Sequence, residues 1–228
     1  MVIPLVNEKG WAHRLNGVPD WQPAYVDTVV VAPHPDDETL SAGGLIASLR
    51  RKGASVRVVA VTDGENAYAD NENLAAVRRM EQTCALERLG VTRDRIVRLG
   101  LVDSDVAAQE DILAAKLRPL ISANTQVVAP WIGDFHPDHE ACARAAQLVA
   151  SDAGATLVSY FFWTWHRGSV GTLDGVKLKK FVLGEDLRAA KRDALACHSS
   201  QLAHAPEPEI LPKDLLWPAR LAFEVFAL

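Results

Sequence analysis

The sequence predicts an α/β protein whose mostly parallel sheet is covered by helices on both faces. Short β-branched runs alternate with stretches of helical periodicity along most of the chain. The runs are almost continuously apolar, as expected for strands buried on both faces of a sheet. Of the 228 residues, 49% are hydrophobic and 23% are charged, which indicates a folded protein without long disordered segments. We therefore expect one domain over residues 1–228.

The first elements follow directly from these patterns. Residues 1–25 contain several Trp and Pro residues and show neither period, so they predict an N-terminal arm packed on the domain. The run 26-VDTVVVA-32 predicts a strand, residues 39–52 a helix, and 55-SVRVVAVT-62 a second strand. This order is a strand-helix-strand unit of the kind that builds parallel sheets.

The middle of the chain repeats the alternation. Apolar residues at helical spacing predict a helix over residues 74–90, which ends in a glycine, a residue favoured just past a helix end. A short strand is expected over residues 96–100, a helix over 106–123, and a strand over 126–130.

The last part of the chain is less regular. A helix is expected from Pro137, since proline suits a first helical position, to about residue 153. The run 156-TLVSYFF-162 predicts a strand, and residues 166–184 are expected to be irregular or an excursion from the fold. A helix over residues 185–198 and a terminal apolar run, 221-LAFEVFAL-228, end the chain.

Charge and cysteine content exclude several classes of protein. The net charge is −5 and the basic residues form no stripe, so we expect no nucleic-acid partner. No window is apolar for long enough to span a bilayer, and the start does not have the pattern of a signal peptide. Three widely spaced cysteines suit a reducing compartment and form no CxxC pair. We therefore expect a cytoplasmic protein without disulfides or a thiolate zinc site.

Two polar segments follow predicted strands and are the main candidates for a functional site. The first, 33-PHPDDE-38, leaves the strand at 26–32, and the second, 131-WIGDFHPDHE-140, leaves the strand at 126–130. In open α/β sheets, ligands bind beyond the carboxyl ends of the strands, near the point where strand order reverses. We therefore expect these two segments to lie side by side.

The spacing of the histidines and carboxylates in these segments suggests a metal site. His34 and Asp37 form H-x-x-D, while His136 and His139 form H-x-x-H. Three such residues suit Zn²⁺, whose catalytic sites use three protein ligands and keep one position open. Because residues three apart in a tight turn can point the same way, His34 and Asp37 can share the metal while Asp36 points elsewhere.

Helix capping is the alternative explanation for both segments. Pro and Asp form turns, and a carboxylate near a helix start satisfies its free N–H groups, so each segment alone fits a strand-to-helix junction. Capping does not explain why a His-Pro-Asp triplet stands at each of two strand ends, because histidine has no special role in caps. The pair of triplets therefore favours the metal site.

These motifs resemble those of the PIG-L/LmbE-like zinc-dependent de-N-acetylases. The resemblance rests on PHPDDE and HPDH, on 62-TDGE-65, on 78-RRMEQTCALERLG-90 and on 191-KRDALACHSSQL-202. It covers about residues 26–160 and 186–202, and it implies a Rossmann-like α/β/α fold with the metal at the C-terminal ends of the strands. It also implies an enzyme that hydrolyses linear amide C–N bonds other than peptide bonds, with one Zn²⁺ per chain.

Transferred to this sequence, the family pattern implies a role for each motif residue. His34, Asp37 and His139 would be the zinc ligands, Asp36 the general base, and His136 the second catalytic group, stabilising the oxyanion as an imidazolium or as a neutral donor. Arg78 would hold a polar group of the substrate. Asp134 and Asp138 would orient the histidines from outside the metal shell, although Asp138 as a plain helix N-terminal carboxylate is an equal alternative.

Substrate contacts are expected from the segment 160-YFFWTWHRG-168. Trp163 and Trp165 would form an aromatic wall for a sugar or an apolar group, with core packing as the alternative. His166 is not expected to be a ligand, and His13, His198 and His204 are expected to be structural or surface residues. The predicted function is removal of an acetyl or other acyl group from an N-acylated amino sugar or its conjugate. Two alternatives are an amidase acting on a thiol conjugate or natural product, and a non-catalytic metal-containing binding protein.

Overall fold

The protein is a three-layer α/β structure built on one seven-stranded sheet. The computed structural model describes residues 5–68, 73–203 and 209–228. The strands, in chain order, are Thr28–Ala32 (β1), Val56–Ala60 (β2), Ile96–Arg98 (β3), Gln126–Pro130 (β4), Thr156–Tyr160 (β5), Leu178–Val182 (β6) and Phe223–Ala227 (β7). The helices are Glu8–Leu15 (α1), Asp37–Arg51 (α2), Leu74–Arg88 (α3), Glu110–Leu117 (α4), Pro137–Ala153 (α5), Thr164–Arg167 (α6), Glu185–Leu195 (α7) and Ser199–Leu202 (α8).

The order of the strands in the sheet is β3-β2-β1-β4-β5-β7-β6. The five strands from β3 to β5 are parallel, and β7 pairs antiparallel with both β5 and β6. This confirms the predicted mostly parallel sheet. The chain builds outward from β1 through β2 to β3 and then returns to place β4 on the other side of β1. The order therefore reverses between β1 and β4, where α/β folds form ligand sites.

Alternate residues of the central strands face two separate cores. Val30 and Val128 belong to the core under α2, α3 and α7, while Val29 and Val127 belong to the core under α4 and α5. All four side chains are at most 3% exposed. Because successive strand residues point to opposite faces, a continuous valine run serves both layers.

The N-terminal arm was predicted without regular structure, and this was wrong for α1. Asn7 caps this helix by accepting a hydrogen bond from the Gly10 N–H. Trp11 is fully buried, packs edge-on against Trp165 with ring centroids 5.1 Å apart, and donates its indole N–H to the Trp165 carbonyl. Trp11 and Leu15, four residues apart, were the available signal for a short amphipathic helix.

Two other regions also differ from expectation. Residues 166–184 contain β6, which completes the sheet by pairing with β7, so this region is only partly irregular. The helix expected over 106–123 is shortened to α4 with a 3-10 turn at each end. Pro119 lies in the second of these turns, Arg118–Leu120, where its missing N–H prevents α4 from continuing.

Within the described parts of the chain, no helix combines the length and apolar character needed to cross a membrane.

The packing of Trp11 predicts that the arm contributes to the stability of the whole fold. Trp11→Ala should lower the free energy of unfolding by about 3–5 kcal/mol, the usual cost of deleting a buried tryptophan. The matched control is His13→Ala on the exposed side of α1, which should change the free energy of unfolding by less than about 0.5 kcal/mol. Urea denaturation of the three proteins measures this, and equal midpoints for Trp11→Ala and wild type would show that the arm is not part of the core.

Candidate metal centre

A cavity of about 160 Å³ opens at the carboxyl ends of β1 and β4. The two segments that were predicted to meet there both contribute to it. Its lining residues are His34, Asp36, Asp37, Ala67, Arg78, Asp103, Ser104, His136, Phe162, Trp163, Ile210 and Leu211.

The structure brings the three predicted metal ligands together. His34, Asp37 and His139 each offer one ligand atom, and these atoms lie within 4.8 Å of one another. Asp37 is the first residue of α2, and its Oδ2 accepts a hydrogen bond from the His34 backbone N–H at 3.0 Å. The same oxygen lies 3.2 Å from His34 Nδ1 and 3.2 Å from His139 Nε2. The turn between β1 and α2 therefore places one carboxylate between two imidazoles.

The donor set fits a divalent metal. His139 is fully buried, and its Nε2 atom has no hydrogen bond although Asp37 Oδ2 is 3.2 Å away. A buried ring nitrogen without a partner is costly unless a ligand completes it. Two imidazole nitrogens and one carboxylate are the ligand types of catalytic zinc sites.

A second donor set overlaps the first. His34, His136 and Asp138 also present ligand atoms within 4.8 Å of one another. The Asp138 carboxylate already accepts hydrogen bonds from the backbone N–H groups of Ser104 and Val106. We therefore favour the first set, in which a buried nitrogen still lacks a partner.

Asp134 contacts His139 without belonging to either donor set. Its Oδ2 lies 2.8 Å from His139 Nδ1, so the other ring nitrogen, Nε2, is turned toward Asp37. The Asp134 carboxylate also accepts hydrogen bonds from the backbone N–H groups of Phe162, Trp163 and Thr164 and from the Thr164 hydroxyl. It is fully buried. One carboxylate therefore fixes both the imidazole of His139 and the backbone that carries Trp163.

Asp138 and Asp103 support His34 in the same way. His34 Nε2 lies 3.1 Å from Asp138 Oδ2 and 3.2 Å from Asp103 Oδ1. The Asp138 side chain thus faces His34 and the loop after β3, not the N–H groups at the start of α5. This geometry favours the orienting role over the plain helix-terminal one.

The electrostatics of the cluster favour positive charge at its centre. Burial alone would lower the pKa of His139, but the charges of Asp37 and Asp134 and the hydrogen bond to Asp134 raise it to about 9. Burial also lowers the pKa of His34, but hydrogen bonds to Asp103, Asp138 and Asp37 raise it well above the ordinary value. In the opposite direction, the two histidines hold the pKa of Asp37 far below its usual range in spite of burial. Asp37 therefore remains ionised and attracts a cation.

Asp36 stands beside the ligands without belonging to either donor set. It is 4% exposed, and its Oδ2 lies 3.3 Å from Arg78 Nη2. Burial raises the pKa of Asp36 above the usual carboxylate range, and the charge of Asp37 adds to this, while Arg78 opposes it. A carboxylate of raised pKa in a cavity is suited to accept and release a proton.

His136 presents a neutral imidazole to the cavity. Its Nδ1 accepts a hydrogen bond from the Asp138 backbone N–H at 3.2 Å, so the proton of the neutral ring lies on Nε2. Burial, together with the charges of His139 and His34, lowers the pKa of His136 to about 4. Of the two forms considered from the sequence, the structure favours the neutral donor over the imidazolium.

The two tryptophans proposed for substrate contact have different positions. Trp163 lines the cavity and stacks on His136, with ring centroids 5.8 Å apart and planes 21° apart. The Arg167 guanidinium lies 3.9 Å from the centre of the Trp163 ring. Trp165 is instead packed in the core against Trp11 and Phe161 and does not line this cavity. Core packing, the alternative given for these residues, therefore describes Trp165.

Arg78 lines the cavity but is turned toward the protein. It is 3% exposed, and its guanidinium donates to the carbonyls of Gly64 and Pro35 as well as to Asp36. Gly64 has a positive φ of 65°, and a Cβ at this position would lie 2.1 Å from Arg78 Nη1. Glycine in the TDGE segment therefore makes room for the arginine.

Sequence reasoning missed Asp103 and Ser104, which line the cavity next to His34. They follow β3, so the rule that was applied to β1 and β4, that strand ends carry the site, would have found them. It also missed Ile210 and Leu211, which lie late in the sequence and line the same cavity. No strand end or motif marks these two residues.

The other histidines that the structure describes are His13, His166 and His198, and they belong to neither donor set. His198 is buried, with its ring nitrogens facing Thr39 and Gln201, and His13 is exposed. His204 lies outside the described residues. His166 is buried beside Phe162 and Trp217 and belongs to neither donor set.

Comparisons with known proteins identify the family of this chain. The PIG-L family, described as GlcNAc-PI de-N-acetylase, matches residues 29–150. A 1D-myo-inositol 2-acetamido-2-deoxy-alpha-D-glucopyranoside deacetylase of Mycolicibacterium gilvum is 34% identical over 163 residues, covering 59% of this chain and 57% of the relative. A probable N-acetyl-alpha-D-glucosaminyl L-malate deacetylase of Bacillus cereus is 32% identical over 134 residues, covering 54% of this chain and 60% of the relative.

Among solved structures, the zinc-inhibited form of teicoplanin deacetylase superposes with a TM-score of 0.63 at 22% identity, covering 77% of this chain and 84% of that one. This likeness supports the α/β/α fold. The chain spans less than two thirds of the length of the two curated relatives.

The contacts of Asp134 predict an effect on metal affinity without a change of ligand. Asp134→Asn should weaken zinc binding by about 10- to 100-fold, because the His139 ring loses the carboxylate that orients it. Competition with a chromophoric chelator measures the affinity. Asp152→Asn, an exposed carboxylate on α5, is the matched control and should bind zinc like wild type. Unchanged affinity in Asp134→Asn would contradict the supporting role.

Burial of His166 predicts a pH-dependent stability. Burial lowers its pKa to about 4 in the folded protein, against about 6.5 when unfolded. Between pH 4 and pH 6.5 the unfolded chain binds more protons at His166 than the folded protein does. The stability contributed by the neutral, buried His166 is therefore fully present above pH 6.5 and is lost as the pH falls toward 4. Between pH 7 and pH 4, wild type should lose on the order of 3 kcal/mol more unfolding free energy than His166→Phe. Denaturation at both pH values measures this, with exposed His13→Phe as control, and parallel losses in wild type and His166→Phe would contradict it.

Proposed function

Because the chain belongs to the PIG-L family, we propose that it is a zinc-dependent hydrolase that removes the acetyl group from an N-acetylglucosamine conjugate. The two curated relatives are named for substrates in which different groups are attached to the sugar, inositol in one and malate in the other. Both names contain an α-linked N-acetylglucosaminyl group. We therefore assign the substrate class as α-N-acetylglucosaminides and leave the attached group open.

One observation carries the proposal. The cavity is lined by the candidate ligands His34 and Asp37, behind which the third, His139, is buried against Asp37. The same cavity presents a buried carboxylate outside the donor sets and a neutral histidine donor. Asp36 and His136 would have no purpose in a site that only binds metal. Their presence beside the ligands favours catalysis over the non-catalytic alternative.

The metal would be held by His34, Asp37 and His139, with one zinc per chain. When bound, zinc would act as a Lewis acid that lowers the pKa of water toward about 7 and polarises the amide carbonyl. Asp36 acts as general base and accepts a proton from the attacking water as the new C–O bond forms. Its raised pKa is suited to this exchange near neutral pH.

His136 acts on the carbonyl oxygen. As negative charge develops there, the Nε2–H group donates a hydrogen bond, which costs little reorganisation because Asp138 and Trp163 already fix the ring. A neutral imidazole would become an imidazolate if it gave up this proton. Asp36, which has just gained a proton, therefore delivers it to the amide nitrogen. The C–N bond then breaks to give acetate and the free amine.

The cavity wall suggests how the sugar is held. We propose that the face of Trp163 contacts the sugar ring, because it is the aromatic side chain that both lines the cavity and lies beside His136. We propose that Arg78 binds Asp36 and not a substrate hydroxyl, since its two terminal nitrogens are already bonded inside the protein.

We also propose that the protein is cytoplasmic, because its three free cysteines suit a reducing compartment.

The substrate class is tested with zinc-loaded protein and a panel of N-acetylated amino sugars. The panel should contain α- and β-linked N-acetylglucosaminides with inositol, malate and simple alkyl groups. NMR detects free acetate, and an amine assay detects release of other acyl groups. Turnover of α-linked members is the expected result. Zinc-loaded protein that releases no acyl group from any amide would favour the binding-protein alternative.

The roles of Asp36 and His136 predict distinct kinetic defects. Asp36→Asn should lower kcat by about 10²- to 10⁴-fold, and His136→Gln by about 10²- to 10³-fold, because each removes a group that acts in the transition state. Elemental analysis should find zinc retained in both variants. Loss of zinc from Asp36→Asn would instead make Asp36 a ligand, and near-normal kcat in either variant would remove that residue from the mechanism.

A further inference from the structure

A buried chain of polar groups lies behind Asp36. Arg78 Nη2 lies 3.3 Å from Asp36 Oδ2 and 3.3 Å from Gln201 Oε1. Gln201 is fully buried and does not line the cavity. Its amide nitrogen donates to Glu81 Oε2 at 3.2 Å. The side chains thus connect α8 through Arg78 to Asp36.

The network allows only one orientation of the Gln201 amide. Its oxygen must accept from Arg78, since a guanidinium has no acceptor, and its nitrogen must donate to Glu81, since an ionised carboxylate has no donor. Hydrogen bonds from Ser199, Ser200 and Gln201 lower the pKa of Glu81 in spite of burial, so this carboxylate is ionised. Gln201 is therefore held at both ends.

Glu81 anchors this arrangement to the main chain. Its carboxylate accepts hydrogen bonds from the Ser199 hydroxyl at 2.8 Å, and from the Ser200 N–H and hydroxyl at 2.7 Å each. These groups belong to α8, whereas Glu81 belongs to α3. Three hydrogen bonds to one carboxylate fix α8 against α3 and with it the position of Gln201.

Asp36 needs such support because its backbone is strained. Its φ of 158° with ψ of −30° is an uncommon conformation for a residue other than glycine, and such residues persist only when surrounding contacts hold them. Arg78 holds both the Asp36 carboxylate and the preceding carbonyl of Pro35 through the same nitrogen.

We propose that Gln201 is a positioning residue, which holds Arg78 against Asp36 and so keeps the Asp36 carboxylate aimed into the cavity. The inference rests on the proposed function, because it assigns Asp36 as the base. The Gln201 side chain reaches Asp36 through Arg78, since neither Gln201 nor Glu81 lines the cavity. This gives Gln201, the last residue of the 199-SSQ-201 segment, a role in the reaction, although it lies outside both donor sets.

The test replaces Gln201 with methionine, which has a similar size but offers Arg78 no comparable acceptor. With zinc-loaded protein and the substrate turned over by wild type, Gln201→Met should lower kcat by about 10- to 100-fold, the effect of a small misplacement of a catalytic group. KM and zinc content should remain as in wild type. If Gln201→Met does not fold, as judged by circular dichroism, Gln201→Asn gives the same expectation, because its shorter side chain cannot reach both partners.

Ser199→Ala is the matched control. It removes one hydrogen bond from the same Glu81 carboxylate but leaves the contacts of Gln201 to Glu81 and Arg78 in place. It should lower the melting temperature while leaving kcat unchanged. Equal kcat in Gln201→Met and Ser199→Ala would show that the network is only structural and would overturn the proposal.

A second readout separates this proposal from the proposed function. In wild type, the side-chain N–H signals of Arg78 should be visible by ¹⁵N NMR as slowly exchanging, restrained groups, assigned by their loss in Arg78→Lys. They should broaden or disappear in Gln201→Met. If wild type turns over no amide, the function fails while this NMR result still tests the link. Unchanged Arg78 signals in Gln201→Met would contradict the positioning role whatever the activity.

Discussion

The site depends on a set of buried carboxylates that must be balanced by positive charge. Asp37, Asp103, Asp134 and Asp138 lie within 3.2 Å of the ring nitrogens of two histidines, and each is at most 5% exposed. Buried charges of one sign are unfavourable unless they are paired or bound to metal. Without a metal, protonated histidines supply part of the positive charge that balances these carboxylates. A divalent cation bound between the carboxylates and the histidines supplies this positive charge without added protons. The same cluster therefore accounts for both the raised pKa of His139 and the fit to zinc.

Backbone strain is concentrated at the same place. Among residues 5–68, 73–203 and 209–228, the non-glycine residues with positive φ are Asp36, Ser104 and Phe135. They lie in the loops after β1, β3 and β4, the strand ends that supply the cavity. Strained residues persist where their surroundings fix them, and they cluster at active sites. The sheet thus provides rigid strand ends, and the hydrogen bonds of the cluster hold the loops in conformations that aim the side chains inward.

Much of this arrangement could be predicted from the sequence, because it follows from local pattern. The valine runs gave a sheet buried on both faces, and the paired His-Pro-Asp triplets gave a donor set on two neighbouring strands, as β1 and β4 are. Contacts between distant segments could not be predicted. The orientation of Arg78 toward Asp36 depends on Gly64 and Gln201, and the burial of Trp165 depends on Trp11 in the arm. Helix α1 was missed because its apolar face is only two residues, Trp11 and Leu15.

The central claim is that His34, Asp37 and His139 hold the metal while Asp36 stays free to move protons. The most direct measurement is a crystal structure of the zinc-loaded protein with data on both sides of the zinc absorption edge. We predict one anomalous peak, bounded by these three side chains, with Asp36 outside the coordination shell. A peak held by His34, His136 and Asp138, or one with Asp36 among its ligands, would contradict the account, since the proposed base or the proposed donor would then be occupied by the metal.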